Sequence, residues 1–143
     1  MTHEAPLYTT PEEAEKAFYH AFEQADIQAM RQVWGAHDEI ECIHPLGPRL
    51  TGEAIFEAWE EMFRSRQRLA FHIAEHRRLD SDQLAVHVVT ENILFTEGGA
   101  NPLKILATNV YRRTPQGWRI VLHHASPLPR PAEVAQSQPA KLH

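Results

Sequence analysis

The sequence predicts an α+β fold: a cone-shaped barrel in which three N-terminal helices pack inside a strongly curved antiparallel sheet. Three observations carry this reading. Apolar residues recur at helical spacing from Ala14 to Phe63 with one interruption. From Leu69 the period changes to two and stays near two as far as Ser126. The period-two runs are joined by short turns, and parallel neighbours would need long crossovers instead. A meander that follows helices in this way wraps around them and leaves a cavity between the layers.

Residues 1 to 9 have no periodicity and read as a loose leader. Thr10-Pro11-Glu12-Glu13 has the side chains of a capping box with proline at the first helical position. Ala14, Ala17, Phe18, Ala21, Phe22 and Ala25 follow on one face. Asp26 is placed to cap a second, shorter helix whose Ile27, Met30, Val33 and Trp34 point to the same core, ending near Gly35. The interruption is Glu39 to Gly52. Alternation there puts Ile40, Cys42 and His44 on one face of a short strand and Glu41 and Ile43 on the other, and Pro45 stops it. Gly47 and Pro48 make a turn, and Thr51-Gly52 lead into a third helix with Ile55, Trp59 and Met62 on one stripe flanked by Phe56 and Phe63.

Four long strands are expected next: from Leu69 to the turn Asp80-Ser81-Asp82, from Leu84 to Phe95, from Leu103 to Arg113, and from Trp118 to Ser126. Their turns fall at Glu97-Gly98-Gly99 and at Thr114-Pro115-Gln116-Gly117. One domain over residues 8–127 accounts for all of this. Residues 128–143, rich in proline and poor in apolar side chains, read as a mobile tail.

Composition narrows the function classes. A chain of 143 residues fits one core, and 14 Lys plus Arg against 19 Asp plus Glu give a formal charge of -5 with no basic run. Nucleic acid is therefore not an expected partner. No apolar run approaches the roughly 20 residues that cross a bilayer, and the N-terminus lacks a signal-peptide core, so a soluble, cytoplasmic protein is expected without a membrane partner. The single cysteine, Cys42, sits among apolar neighbours and reads as a reduced, buried thiol. Ten histidines are many for this length, so their positions matter.

The order helix, helix, short strand with x-H-P-x-G, helix opening at T-G, then four strands ending W-R-I-V-L-H-H-A-S-P, resembles the SnoaL-like branch of the nuclear transport factor 2-like (NTF2-like) superfamily, a cystatin-like α+β fold. The features that carry the resemblance are Asp26, Trp34, the His44-Pro45-x-Gly47 turn, Gly52, Trp59, Gly117-Trp118 and His123-His124. It implies a cone with an interior pocket and, commonly, a homodimer formed by the outer faces of the sheets. That superfamily spans ketosteroid isomerases, polyketide cyclases, dehydratases and members without catalysis, so fold does not fix function. In the isomerases the equivalent strand reads like E-D-P-x-G and its aspartate shuttles a proton. Here Ile43-His44-Pro45-Leu46-Gly47 puts His44 in that place. The helical tyrosine that helps hold the oxyanion in those enzymes falls, counting back from Asp26, at Phe18, with Tyr19 adjacent. Both departures argue against steroid isomerase activity.

His44 is the first candidate for acid-base work, because a neutral imidazole at the cavity mouth takes or gives a proton near pH 7. The structural alternative is a histidine that orients the Pro45 turn. Strand alternation sends His123 and His124 to opposite faces. Grouping Trp118, Ile120, Leu122 and His124 together makes His124 the interior candidate and leaves His123 outside. Glu91 or Asn109, if inward-facing, could hydrogen-bond a ligand, the alternative being a mid-strand group that is paired or exposed at the sheet's outside; Phe18, Tyr19, Trp34 and Trp59 are the aromatic ligand-binding candidates, with plain core packing the alternative for Trp34 and Trp59. No metal is expected. His72 and His76 lie on a strand, where residues four apart are about 13 Å apart. No cofactor motif appears either: Gly98-Gly99 has no helix after it. The resulting reading is a SnoaL-like protein that binds a small, largely apolar organic molecule in its cone. The alternative is an acid-base isomerase, cyclase or dehydratase using His44 and His124. A non-catalytic module would instead have its histidines bonded only to protein, or Phe18, Phe22 and Trp59 filling the cavity.

Overall fold

The computed structural model describes residues 8–65, 68–97 and 101–129. Three helices, α1 (Pro11–Gln24), α2 (Ile27–Val33) and α3 (Glu53–Arg64), pack against one six-stranded, curved and unclosed sheet. Its strands are β1 (Glu41–Ile43), β2 (Arg49–Thr51), β3 (Leu69–Asp80), β4 (Leu84–Phe95), β5 (Leu103–Thr114) and β6 (Gly117–Pro127), in the order β2-β1-β6-β5-β4-β3. The four long strands form the expected antiparallel meander. β1 joins it in parallel to β6, with Cys42 opposite His123, and β2 returns antiparallel to β1. No helix among the described residues is long and apolar enough to cross a membrane.

Local chemistry explains the helix boundaries. Thr10 Oγ1 accepts from the Glu13 N–H at 3.1 Å, while the Glu13 carboxylate reaches past the cap to the N–H and hydroxyl of Thr9. Ala25 ends α1 in the left-handed region at φ 52°, and the Asp26 N–H returns to the Ala21 carbonyl at 3.0 Å. Asp26 then caps α2 by accepting from the Ala29 N–H at 3.1 Å. One residue thus closes one helix and opens the next, which fixes the angle between them. A short 3₁₀ turn, His37–Glu39, follows α2 and was not legible beforehand.

The core side of the helices carries the expected residues: Ala14, Phe18, Ala21, Phe22, Met30, Val33, Ile55 and Trp59 are all buried, and Tyr19 joins them. Phe18, Phe22 and Trp59 interlock edge to face, with centroid separations of 4.7 to 6.2 Å. All three are buried.

Two expectations are corrected. Tyr8 is not part of a loose leader: its carbonyl accepts from the Trp118 N–H at 2.8 Å and its ring lies under the Arg119 guanidinium. On β6, alternation does not run unbroken. The register shifts between Val110 and Tyr111, which face Leu122 and Ile120, so Val121 is an extra residue in a β-bulge. Trp118 and Ile120 are buried before the bulge, and His123 and Ala125 after it. Gly35 lies against this bulge, where a Cβ would come within 3.1 Å of Val121 Cγ1. The expected turn at 97–99 and the tail fall mostly on residues outside those described.

Because the Asp26 carboxylate caps α2 while only its backbone N–H closes α1, Asp26→Ala should cost about 1 kcal/mol in urea unfolding, the usual value of a lost N-cap. An unchanged midpoint would show that packing alone sets the α1–α2 corner.

Candidate functional site

Four polar side chains meet inside the cone, each from a different element: Tyr19 from α1, Glu91 from β4, Asn109 from β5 and His123 from β6, all buried. Alternation puts Glu91 inward with Ala85, His87, Val89 and Ile93, and Asn109 inward with Ile105, Ala107 and Tyr111. The Tyr19 hydroxyl donates to Glu91 Oε2 at 2.7 Å and accepts from Asn109 Nδ2 at 2.9 Å. Asn109 Oδ1 lies 2.6 Å from His123 Nδ1, and an amide oxygen only accepts, so Nδ1 carries the proton. Nε2 of His123 is left with its lone pair, 4.0 Å from Glu91 Oε2.

Rings surround this network. Phe18 lies 4.9 Å from Tyr19 and 5.1 Å from His123, centroid to centroid. His44, half-buried, shares a face with the buried Ile40 and Cys42 as alternation requires. Its ring meets Trp59 edge-on at 4.7 Å and stands 6.0 Å from His123, and its Nε2 is 3.6 Å from Cys42 Sγ. The indole Nε1 of Trp59 is buried without a hydrogen-bond partner among the described residues. Next to His44, Leu46 is 93% exposed and held at φ 61°, in a turn closed by the Gly47 N–H to the His44 carbonyl at 2.8 Å.

Burial sets the electrostatics. It pushes the Glu91 carboxyl up to about 7, against the opposite pull of the Tyr19 hydroxyl. It pushes the His123 imidazole down to about 3, with His44 and His124 adding to the effect. The same cause lowers His44, and it raises the Cys42 thiol to about 12, which suits an unreactive cysteine. Near neutral pH, His123 is neutral and Glu91 is divided between its two protonation states. A carboxyl able to take or give a proton thus stands beside a phenol donor and an imidazole lone pair.

The sequence-derived candidates separate into three groups. Tyr19, Glu91 and Asn109 are brought together, with Phe18 and Trp59 as the enclosing rings, while His44 stands at the edge with its ring 6.0 Å from that of His123. Trp34 lies apart: its Nε1 contacts Met30 Sδ at 3.4 Å and its backbone bridges to Ile120. His124 is exposed, and His123 occupies the interior instead, because the bulge at Val121 reverses the faces beyond it. The helical phenol at the site is Tyr19, one residue beyond the position that counting assigned.

The network meets the surface through Tyr19. A groove of about 560 Å³ between α1 and β3 is lined by Tyr19, Phe71 and Ile73, with Glu15, Lys16, His20, Glu23 and Glu75 around them. Glu23 also accepts from the Phe71 N–H at 2.7 Å and pins β3 to the helix.

Glu91 binds more protons folded than unfolded between its ordinary value of 4.5 and about 7, so its burial costs stability as pH rises through that window. Glu91→Gln should therefore gain on the native chain between pH 4.5 and 7, by at most roughly 3 kcal/mol at about 1.4 per pH unit. Denaturant unfolding at pH 4.5, 6 and 8 checks this. A difference that does not vary with pH would mean that Glu91 titrates normally.

A family model for the SnoaL-like domain matches residues 12–131. A solved structure from Thiobacillus denitrificans, provisionally described as a calcium/calmodulin-dependent protein kinase type II association domain, is 40% identical, covers 87% of this chain and 99% of that one, and superimposes with a TM-score of 0.80. Another from Streptomyces avermitilis, provisionally described as a dehydratase of the NTF2-like family, is 29% identical over 82% of this chain and 92% of that one, with a TM-score of 0.75. The F-box protein SKIP8 of Arabidopsis thaliana is 27% identical over 110 residues, 76% of this chain and 46% of that protein, so the match spans about half of its length.

Proposed function

The chain belongs to the SnoaL-like domain family, and on that premise we propose that it binds a small, largely apolar organic molecule at the groove between α1 and β3. Tyr19 would be the link between that molecule and the buried Glu91, Asn109 and His123. One observation carries the reading: the residue that lines the groove is also the hub of the polar network. Phe71 and Ile73 offer apolar surface to the body of the molecule, and few polar groups converge on one point, as small-molecule sites require. Binding ranks above turnover because His123 bonds to Asn109 and the interlocked Phe18, Phe22 and Trp59 are buried in the interior.

A second reading, proton transfer, is favoured by one observation: the Glu91 carboxyl, raised to about 7, is hydrogen-bonded to a phenol. The dehydratase description of the Streptomyces avermitilis relative fits chemistry of that kind. In this reading Glu91 is the acid-base group and Tyr19 relays or stabilises charge at the groove, while His44 stands at the edge of the cluster. The bound molecule would have to carry an acidic C–H or a hydroxyl leaving group within reach of Tyr19.

The outer sheet face supports self-association. Val86 and Val88 of β4, Leu106 and Val110 of β5 and Leu122 of β6 are half-buried there, and a homodimer through this face would cover them. The association-domain description of the Thiobacillus denitrificans relative fits that expectation.

Native mass spectrometry or thermal shift against a panel of apolar ketones, alcohols and phenols tests the binding reading. Tyr19→Phe should lower the unfolding midpoint by several degrees, because Glu91 and Asn109 lose a shared buried partner, and in the folded protein weaken any binder about tenfold, the value of one hydrogen bond of about 1.4 kcal/mol. A panel with no binder sensitive to Tyr19 sinks it. If a binder is turned over, Glu91→Gln should abolish turnover and retain binding.

Light scattering at micromolar concentration should report about twice the 16.4 kDa chain mass. A monomer there would remove the homodimer.

A further inference from the structure

The groove between α1 and β3 carries charge around an apolar middle. Glu15, Tyr19 and Glu23 recur every four residues along one row of α1, and Phe71, Ile73 and Glu75 alternate onto one face of β3, so all six converge on the same space. Glu23 meets Phe71 while Glu12 pairs with Arg78, so the helix and the strand run in opposite directions. Tyr19, Phe71 and Ile73 therefore form the middle of the groove, with Glu23 at one end and Glu15 and Glu75 at the other. Eight residues of helix separate Glu15 from Glu23, about 12 Å at 1.5 Å per residue.

The lining holds three carboxylates against one ammonium, Lys16, and one imidazole, His20. Two of the carboxylates are held in place from inside the protein. Glu15 Oε2 lies 3.1 Å from Nδ1 of the fully buried His87, and Glu23 Oε2 accepts from the Phe71 N–H at 2.7 Å. In each, the second oxygen, Oε1, has no partner among the described residues. Glu75 has a 3.5 Å contact with Arg78, a guanidinium that also serves Glu12 and Asp80. One shared guanidinium and one exposed lysine do not balance this set of carboxylates.

We propose that the ligand of this groove is an organic amine, an ammonium group on a small apolar body. The inference rests on the binding reading above and adds the sign of the ligand's charge. An ammonium offers N–H donors and a carboxylate only accepts, so each Oε1 is a matched partner for it. The apolar body then lies over Phe71, Ile73 and the Tyr19 ring. Glu75, Lys16 and His20 are exposed, so water reaches the rim and an ion held there avoids the cost of full burial. The bonds to His87 and to the β3 backbone fix Glu15 and Glu23 beforehand, which leaves little side-chain entropy to lose on binding. The same charges repel a carboxylic acid of equal size, and the formal charge of -5 extends that preference to longer range.

Calorimetric titration of the full chain with 2-phenylethylamine, 2-phenylethanol and phenylacetate, in dilute and in concentrated sodium chloride, tests the assignment. The amine should bind about tenfold more tightly than the alcohol, the acid should bind weakest, and only the amine's affinity should fall with salt. Glu15→Gln and Glu23→Gln each keep an acceptor oxygen but remove a charge. At least one of them should weaken the amine about fivefold and leave the alcohol unchanged. Lys16→Gln should strengthen amine binding about twofold, a gain that a folding defect cannot imitate. Amine affinity that ignores both glutamate variants overturns the proposal. An alcohol bound as tightly as the amine, and weakened by Tyr19→Phe, overturns the charge assignment and leaves the binding reading standing. An amine that does not bind overturns the proposal outright, and the panel of ketones, alcohols and phenols then decides the binding reading by itself.

Discussion

The hydroxyl of Tyr19 is the point on which the architecture converges. One oxygen donates to a carboxyl on β4 and accepts from an amide on β5, so the first helix is tied by hydrogen bonds to the two central long strands. Around it the contacts are apolar and non-directional, and such contacts allow a helix to slide or rotate at small cost. Directional bonds to buried partners do not, because a misplaced partner leaves unsatisfied groups worth roughly 1–3 kcal/mol each. The Glu23 carboxylate on the Phe71 N–H adds a second polar tie from α1 to the edge strand.

The same network holds a proton inventory of an unusual kind. Glu91 resists ionisation because it is buried, and His123 resists protonation for the same reason. Their effects on folding run in opposite directions where the windows overlap. Rising pH charges a carboxyl that prefers to be neutral, and falling pH charges an imidazole that prefers to be neutral. A charge-free interior is thus the stable condition of both groups, and an ionised Glu91 is tolerated through its bond from Tyr19.

Most elements were legible because their signals are long. β4 spans Leu84–Phe95 as its alternation indicated, and Thr10 and Asp26 cap the helices they were expected to cap. Short or punctual features were not legible. β2 has three residues between Pro48 and Gly52, too few for alternation to register. The bulge at Val121 has no glycine to mark it, so the faces of β6 were read in reverse beyond that point and His124 was preferred to His123. Phe18 and Tyr19 are about 100° apart on a helix, and both are buried, so counting alone could not tell which ring reaches the polar cluster. Inward-facing Glu91 and Asn109 were recognisable singly. Their joining by a phenol 72 and 90 residues away was a tertiary fact with no local trace.

The doubled histidine beyond that bulge has a consequence for how the family's sheet can vary. With Val121 extra, the buried positions are His123 and Ala125. If Val121 were paired regularly instead of bulged, with no residue lost, alternation from Ile120 would turn Leu122 and the neighbouring His124 inward, so the interior would still receive a ring nitrogen at nearly the same height. Two identical residues in tandem make the strand redundant at the position where a frame slip would be most damaging. The tandem thus keeps one imidazole inside the cone whether β6 is bulged at Val121 or regularly paired.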